Sequence, residues 1–151
     1  ASLEELYPLS EKLAAGYRSD DANLLGNTVN LPEVVYARLR AKKKVGDCDD
    51  VAAALAAIIA KNRLVPISEL QLCVAYWWNL KTFKTDGHCY CGWARDGSFY
   101  NIGNWSKGHV RGPYKDREEA AAAFAGKNPL LGHGTYNWRV DDLSLQQYWL
   151  V

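Results

Sequence analysis

The sequence predicts an α+β fold in which N-terminal helices pack on a mostly antiparallel sheet. Three observations lead there. Helical patterns fill the first part of the chain, strand-like runs follow, and one further helical pattern comes late. A strongly patterned helix opens at Cys48. Two of the strand-like runs are joined by the turn signal Arg95-Asp96-Gly97.

Taken in order, Ser2-Leu-Glu-Glu5 has the form of a capping box and opens a short helix, reaching about Gly16 and broken near Pro8. Residues 17–29 carry Ser, Asp, Asn and Gly and read as a loop. Asn30-Leu-Pro-Glu33 starts a second helix, running to about Lys43, with its proline where the missing N–H costs little. Asp47 is a good N-cap, which puts Cys48 at the first position of the third helix. Val51, Leu55, Ile58 and Ile59 follow as an apolar stripe, and Cys48, three residues before Val51, heads it. Asp49 and Asp50 suit the positive end of the helix dipole, and the alanines strengthen the helix. Strands are expected over Leu70–Trp78, His88–Ala94 and Ser98–Ile102. Asp116-Arg-Glu-Glu119 is another capping box, with Gly126 as the stop. Thr135–Val140 and Leu145–Leu150 are late strands.

Composition narrows the class of function. The chain has 151 residues, enough for one domain over 1–151 with a real core, and is 48% hydrophobic and 23% charged. A net charge of +1 gives no general case for nucleic acid or an anionic membrane. The basic run Arg38–Lys44 reads as a solvated helix end. The longest apolar stretch, Val51–Ala60, is too short to span a bilayer, and the acidic, amphipathic N-terminus is no signal peptide. The expected location is the cytoplasm. Cys48, Cys73, Cys89 and Cys91 do not form the spacing of a small disulfide framework.

The chemistry-bearing pair is Cys48 and His88. A helix N-terminus favours a thiolate, and its backbone N–H groups can hold an oxyanion. A histidine on a neighbouring strand can take the thiol proton and return it. His88 lies 40 residues after Cys48, ahead of Cys-Tyr-Cys-Gly-Trp93. A third polar group would orient the imidazole, and hairpin register decides which one is available. With Asp96-Gly97 as a two-residue type I′ loop, Arg95 pairs with Ser98 and His88 with Trp105. Gly103 is then the side-chainless diagonal neighbour, Asn104 points away, and Asn101 is too far along the strand. With Arg95-Asp96-Gly97 as a three-residue bulged loop, Ala94 pairs with Ser98 and His88 faces Asn104, with Cβ atoms about 5 Å apart. Both loops fit the sequence. The second is preferred because it gives Asn104 a role beside His88, so function is the guide to register.

Gly46-Asp-Cys-Asp-Asp50-Val-Ala, then helix, then Leu64-Val-Pro66, resembles the nucleophile segment of transglutaminase-like cysteine peptidases. His88-Cys-Tyr-Cys-Gly-Trp93, a turn and Phe99-Tyr-Asn-Ile-Gly-Asn104 resemble that family's histidine strand and third-residue strand. The resemblance runs from Gly46 to Trp105. It implies a papain-like fold and a thiol protease or acyltransferase with a catalytic triad that acts on peptide or isopeptide amides through a thioester. Cys48 would be the nucleophile, His88 the base and then the acid, and Asn104 the orienter. No cofactor is implied, and the expected partner is a peptide or protein substrate. The chain departs from the family at its triad aspartate, which aligns with Gly103 or Asn104.

Two other classes compete. Cys48, Cys73, Cys89, Cys91, His88, His109 and His133 are zinc-ligand types, but Cys89 and Cys91 should point away from His88 on a strand. His109 and His133 sit in glycine-rich stretches and read as loop residues. Alternatively, the fold persists without the chemistry, and tryptophans such as Trp77, Trp78, Trp93, Trp105, Trp138 and Trp149 line a groove for a peptide or glycan. Trp105, next to Asn104, would shield a His88–Asn104 hydrogen bond or cover the sheet edge.

Overall fold

The computed structural model describes residues 2–16, 38, 47–136 and 145–150. The expected loop at 17–29 and nearly all of the expected helix at 30–43 lie outside them. The N-terminal helix starts as a 3-10 turn, Leu3–Leu6, and continues as α1, Tyr7–Ala15. Pro8 falls in the first turn of α1, where its ring is tolerated, so it marks a change of helix type and not a break. Ser2 makes no side-chain cap bond, contrary to the capping box expected there.

Helix α2, Cys48–Lys61, begins where the sequence places it. Asp47 accepts a hydrogen bond from the Asp50 N–H at 3.3 Å, and the Asp50 carboxylate accepts one from the Asp47 N–H at 3.1 Å. That reciprocal pair satisfies two N–H groups at the helix start. Among the described residues six strands follow: β1 Gln71–Asn79, β2 Lys84–Arg95, β3 Ser98–Ile102, β4 Val110–Tyr114, β5 Leu130–Tyr136 and β6 Leu145–Leu150. Helix α3, Arg117–Ala125, lies between β4 and β5. Asp116 caps it by accepting from the Glu119 N–H at 2.8 Å, while the Glu119 carboxylate accepts from the Lys115 N–H, one residue away from a true capping box. The strands form one antiparallel sheet in the order β4-β3-β2-β1-β5-β6. The chain is α+β, as the element order predicts.

Alternation along β1 and β2 divides the core in two. Cys91 and Trp93 pack with Val51, Leu55 and Ile59 of α2 and with Leu13 of α1. Cys89 and Leu72 pack with Ala52, Ala53 and Cys48. On the other face Cys73, Ala75, Trp77 and Tyr90 pack with Ala120, Ala121 and Phe124 of α3. The sheet is therefore a middle layer with α2 on one side and α3 on the other.

The β2–β3 register corrects the preferred expectation. Arg95 pairs with Ser98 and Trp93 with Tyr100. Asp96 and Gly97 both have positive φ, 52° and 78°, which makes the loop type I′, not the bulged three-residue loop. Such a turn matches the twist of the flanking strands, and Gly97 takes its left-handed position without strain.

The N-terminal helix is pinned to the β3–β4 connection. Ser10 Oγ donates to the Gly108 carbonyl at 2.5 Å, and the Val110 N–H donates to the Tyr7 hydroxyl at 3.2 Å. His109 stacks on Tyr7 at 4.1 Å and meets the Glu11 carboxylate at 2.7 Å. His109, expected as a loop histidine, is thus part of this clasp. No helix among the described residues is long and apolar enough to cross a membrane.

Candidate active site

Cys48 occupies the first position of α2, half-buried, on the face of the sheet that α2 covers. Burial pushes its thiol up to about 11, the charges of Asp49 and Asp47 push the same way, and a hydrogen bond from the Cys89 backbone offsets part of this. The acidic neighbours therefore do oppose ionisation, though less than burial does. Burial also raises Asp47, to about 7, with Asp49 contributing.

His88 lies mid-strand in β2, opposite Ala75, and is 2% exposed. Its ring stacks on Trp105 at 4.3 Å with 20° between the planes, and lies 4.8 Å from Phe124 and 5.9 Å from Tyr90. Those partners belong to the α3 side. Burial, then the nearby positive charge of Arg111, lowers the imidazole to about 3, so the ring is neutral at ordinary pH. Its Nε2 is buried with no hydrogen-bond partner among the described residues.

The structure therefore does not bring Cys48 and His88 together. His88 shares a face with Tyr90, and Cys48 packs with Cys89, whose side chain projects the opposite way. The backbone of the sheet lies between imidazole and thiol.

Asn104 is not the cross-strand neighbour of His88. Pairing of β2 with β3 ends at Cys91 and Ile102, and Asn104 opens a 3-10 turn, Asn104–Ser106. The residue that reaches His88 is Trp105, as the type I′ register implies. The Asn104 Oδ1 is buried and has no partner among the described residues. Gly103, the other position aligned with the family's aspartate, lies against Tyr90, with room for a Cβ at ordinary contact distance. Asn101 pairs with Gly92, four residues from His88, or about 13 Å along the strand. It is fully buried, and neither amide atom has a partner among the described residues.

Three neighbours of this region escape the sequence reading. His133, expected in a loop, lies in β5 opposite Ala75, so His88, Ala75 and His133 form one row on the α3 side. Burial lowers the His133 pKa, and Trp149 of β6 stacks on its ring at 4.9 Å. Gly132 and Gly134 around it hide the strand's alternation. Arg111 lies in β4, whose Gly112 and Pro113 disguise the strand; Pro113 is accepted because β4 is an edge strand. Phe124 carries no signal beyond the apolar stripe of α3.

The zinc expectation from Cys89, Cys91 and His88 meets the same geometry, since the two thiols face α2 and the imidazole faces α3. Among the described residues, the carboxylates of Asp47, Asp49 and Asp50 gather within 4.8 Å of one another at the start of α2.

No family model matches the chain, and no curated protein matches it in sequence. Among solved structures it is similar to EGTA-treated Legionella pneumophila LapG, with a TM-score of 0.48 and 11% identity over 98% of this chain and 67% of that one. It is also similar to Legionella pneumophila LapG at a TM-score of 0.43 and 10% identity, over 99% of this chain and 88% of that one. Likeness at this level does not carry a function from one chain to another.

Proposed function

We propose that the chain is a papain-like, transglutaminase-like cysteine hydrolase or acyltransferase acting on peptide or isopeptide amides. The observation that carries this reading is the placement of Cys48 at the first position of a capped, buried helix. The Cys48 N–H, at the first position of that helix, would be one donor to the oxyanion that forms on a substrate carbonyl. Cys48 would attack the carbonyl carbon after giving its proton to His88. The tetrahedral intermediate then expels the amine, which leaves with the proton from His88, and a thioester remains. Water or a second amine attacks the thioester, releasing acid or new amide and restoring the thiol. Asn104 would orient the imidazole, with Trp105 keeping it dry. His88 is neutral with an unpartnered Nε2, but at about 3 it is too weak a base for a thiol at about 11, so the proton transfer requires the ring to leave its dry packing and meet Cys48 directly.

This mechanism requires His88 to reach the α2 side of the sheet. A bulge at His88-Cys89 would put both side chains on one face and leave Cys91 and Trp93 in place, but it would also shift Lys84–Gly87 by one place against β1. The Tyr76 ring, which lies over Gly87, would have to move aside. Catalytic contacts often tighten only when substrate is bound.

The separation of Cys48 from His88 favours a second reading, in which the domain keeps the fold and binds a peptide or glycan without turning it over. Iodoacetamide labelling against pH, read by mass spectrometry, separates the two. The hydrolase reading expects Cys48 to label at mildly acidic pH ahead of Cys73, Cys89 and Cys91, with that advantage lost in His88→Ala. It also expects hydroxylamine to trap the acyl group from a peptide substrate as a hydroxamate, and Cys48→Ala to abolish the product. Cys48 labelling that climbs only towards the thiol's value of about 11, and is the same in His88→Ala, refutes the hydrolase and leaves the binding module.

A further inference from the structure

The tip of the β1–β2 hairpin breaks two local rules at once. Phe83 is 72% exposed, and its backbone is left-handed, with φ of 56°. A bulky side chain there costs about 1 kcal/mol, and this one has almost no burial to offset it. Glycine or asparagine would serve the turn better. Beside it Leu80 is 54% exposed and Trp78 37% exposed. Three large apolar side chains thus stand out of a seven-residue tip, Trp78 to Lys84.

The tip is held firmly. Asn79 Oδ1 accepts from the Lys81 and Thr82 N–H groups at 2.8 and 3.1 Å, and its amide donates to Asp86 at 2.7 Å. The Phe83 N–H donates to the Asn79 carbonyl at 2.9 Å. The Leu80 N–H donates to Asn128, and the Trp78 N–H to the Pro129 carbonyl, both at 3.0 Å, tying the tip to the approach to β5. A rigid turn that presents apolar groups to water is a feature that folding alone does not explain.

Charge around the tip selects the occupant. Lys81 and Lys84 are exposed within it, and Lys127 is exposed next to Asn128. Asp86, on the same hairpin, is half-buried and accepts from the Asn79 amide. Apolar residues with a tryptophan at their base and lysines around them match the layering of an anionic bilayer, where lysine meets headgroup phosphate and the apolar groups pass below it.

We infer that the β1–β2 tip is a membrane wedge, inserting Leu80 and Phe83 into the surface of an anionic bilayer with Lys81, Lys84 and Lys127 as its collar. The net charge of +1 conceals this because the lysines act locally. The test is co-sedimentation of the chain with phosphatidylcholine vesicles prepared with and without phosphatidylserine. The wild type should bind the phosphatidylserine vesicles. The double variant L80S/F83N should lose at least about tenfold in binding with no fall in thermal midpoint, since asparagine tolerates the left-handed position. K81E/K84E should lose at least about fivefold per lysine, on phosphatidylserine vesicles only. Absence of vesicle binding by the wild type overturns the inference, as does binding that L80S/F83N leaves unchanged. A chain that ignores vesicles but forms a dimer dissolved by L80S/F83N also overturns it, and assigns the tip to a second copy.

Discussion

Replacing Asp47 with asparagine should stabilise the protein increasingly as pH rises. Asp47 is a buried acid whose value rises from 3.8 to about 7, chiefly through burial. Between about pH 4 and 7 the folded chain therefore holds a proton there that the unfolded chain has lost. Stability from this group is complete below the unfolded value and is lost as pH climbs through the folded one. A rise of about three in pKa would correspond to about 4 kcal/mol for a fully desolvated carboxyl, and solvent screening at this site reduces it to about 2 kcal/mol once both states are ionised. The variant Asp47→Asn keeps the cap, because asparagine ranks with aspartate at that position and its carbonyl can still accept from Asp50. It removes the charge that is costly to bury. His88 works in the opposite sense. Its value is lowered to about 3, so it weakens the fold as pH falls below about 6.5, and the two slopes overlap in the wild type. The quantity to follow is thus the difference between variant and wild type in urea denaturation. It should lie near zero at pH 4 and grow to about 2 kcal/mol in favour of the variant above pH 7. A variant less stable than the wild type at the alkaline end, or a difference flat with pH, would falsify the account of Asp47. The same substitution should make Cys48 alkylate faster, since the Asp47 charge helps raise its thiol.

Further expectations concern the cover over His88 and the clasp on α1. Trp105, itself 48% exposed, stacks on His88, so Trp105→Ala should wet the ring and move its pKa from about 3 towards 6.5; an unmoved His88 titration by NMR would show that other groups keep it dry. Gly108 has φ of 77°, and a Cβ there would land on the Ser10 backbone, so Gly108→Ala should lower stability by about 3 kcal/mol and expose α1 to proteolysis. A change under about 0.5 kcal/mol would mean that the clasp contributes little.

The start of α2 was legible because its determinants are local. Asp47, Cys48 and Asp50 carry cap, first position and reciprocal cap within four residues, and the Val51–Ile59 stripe needs no knowledge of the sheet. The choice between two hairpin loops at Arg95-Asp96-Gly97 was not local in the same way. Both loops suit the residues, and they differ by one place in the ladder. The bulged loop that would serve a triad implies a pairing the sheet does not make, and with it the wrong neighbour for His88. The partner face of His88 was illegible for a related reason. Period-two alternation says that His88 and Cys89 diverge, but not which of them meets the helix headed by Cys48. That depends on the packing of α2 against Cys89 and Cys91, which no short motif encodes. The strand at Val110–Tyr114 and the strand position of His133 were masked by glycine and proline at sites an edge strand or a narrow interior can accept.

The strand order sets the sequence of events in folding. Every neighbouring pair in the sheet joins strands consecutive in the chain, except β1 with β5, where Ala75 meets His133, 58 residues further on. Hairpins can close as soon as they are made, whereas this pairing waits for β5 and carries the largest loop-closure entropy in the sheet. In that interval β1, with the uncharged run Leu72-Cys-Val-Ala-Tyr-Trp-Trp78, presents a bare edge rich in β-formers. A nascent chain halted before Leu130 is therefore a template for its own aggregation, and β5 protects the molecule while it is still being made.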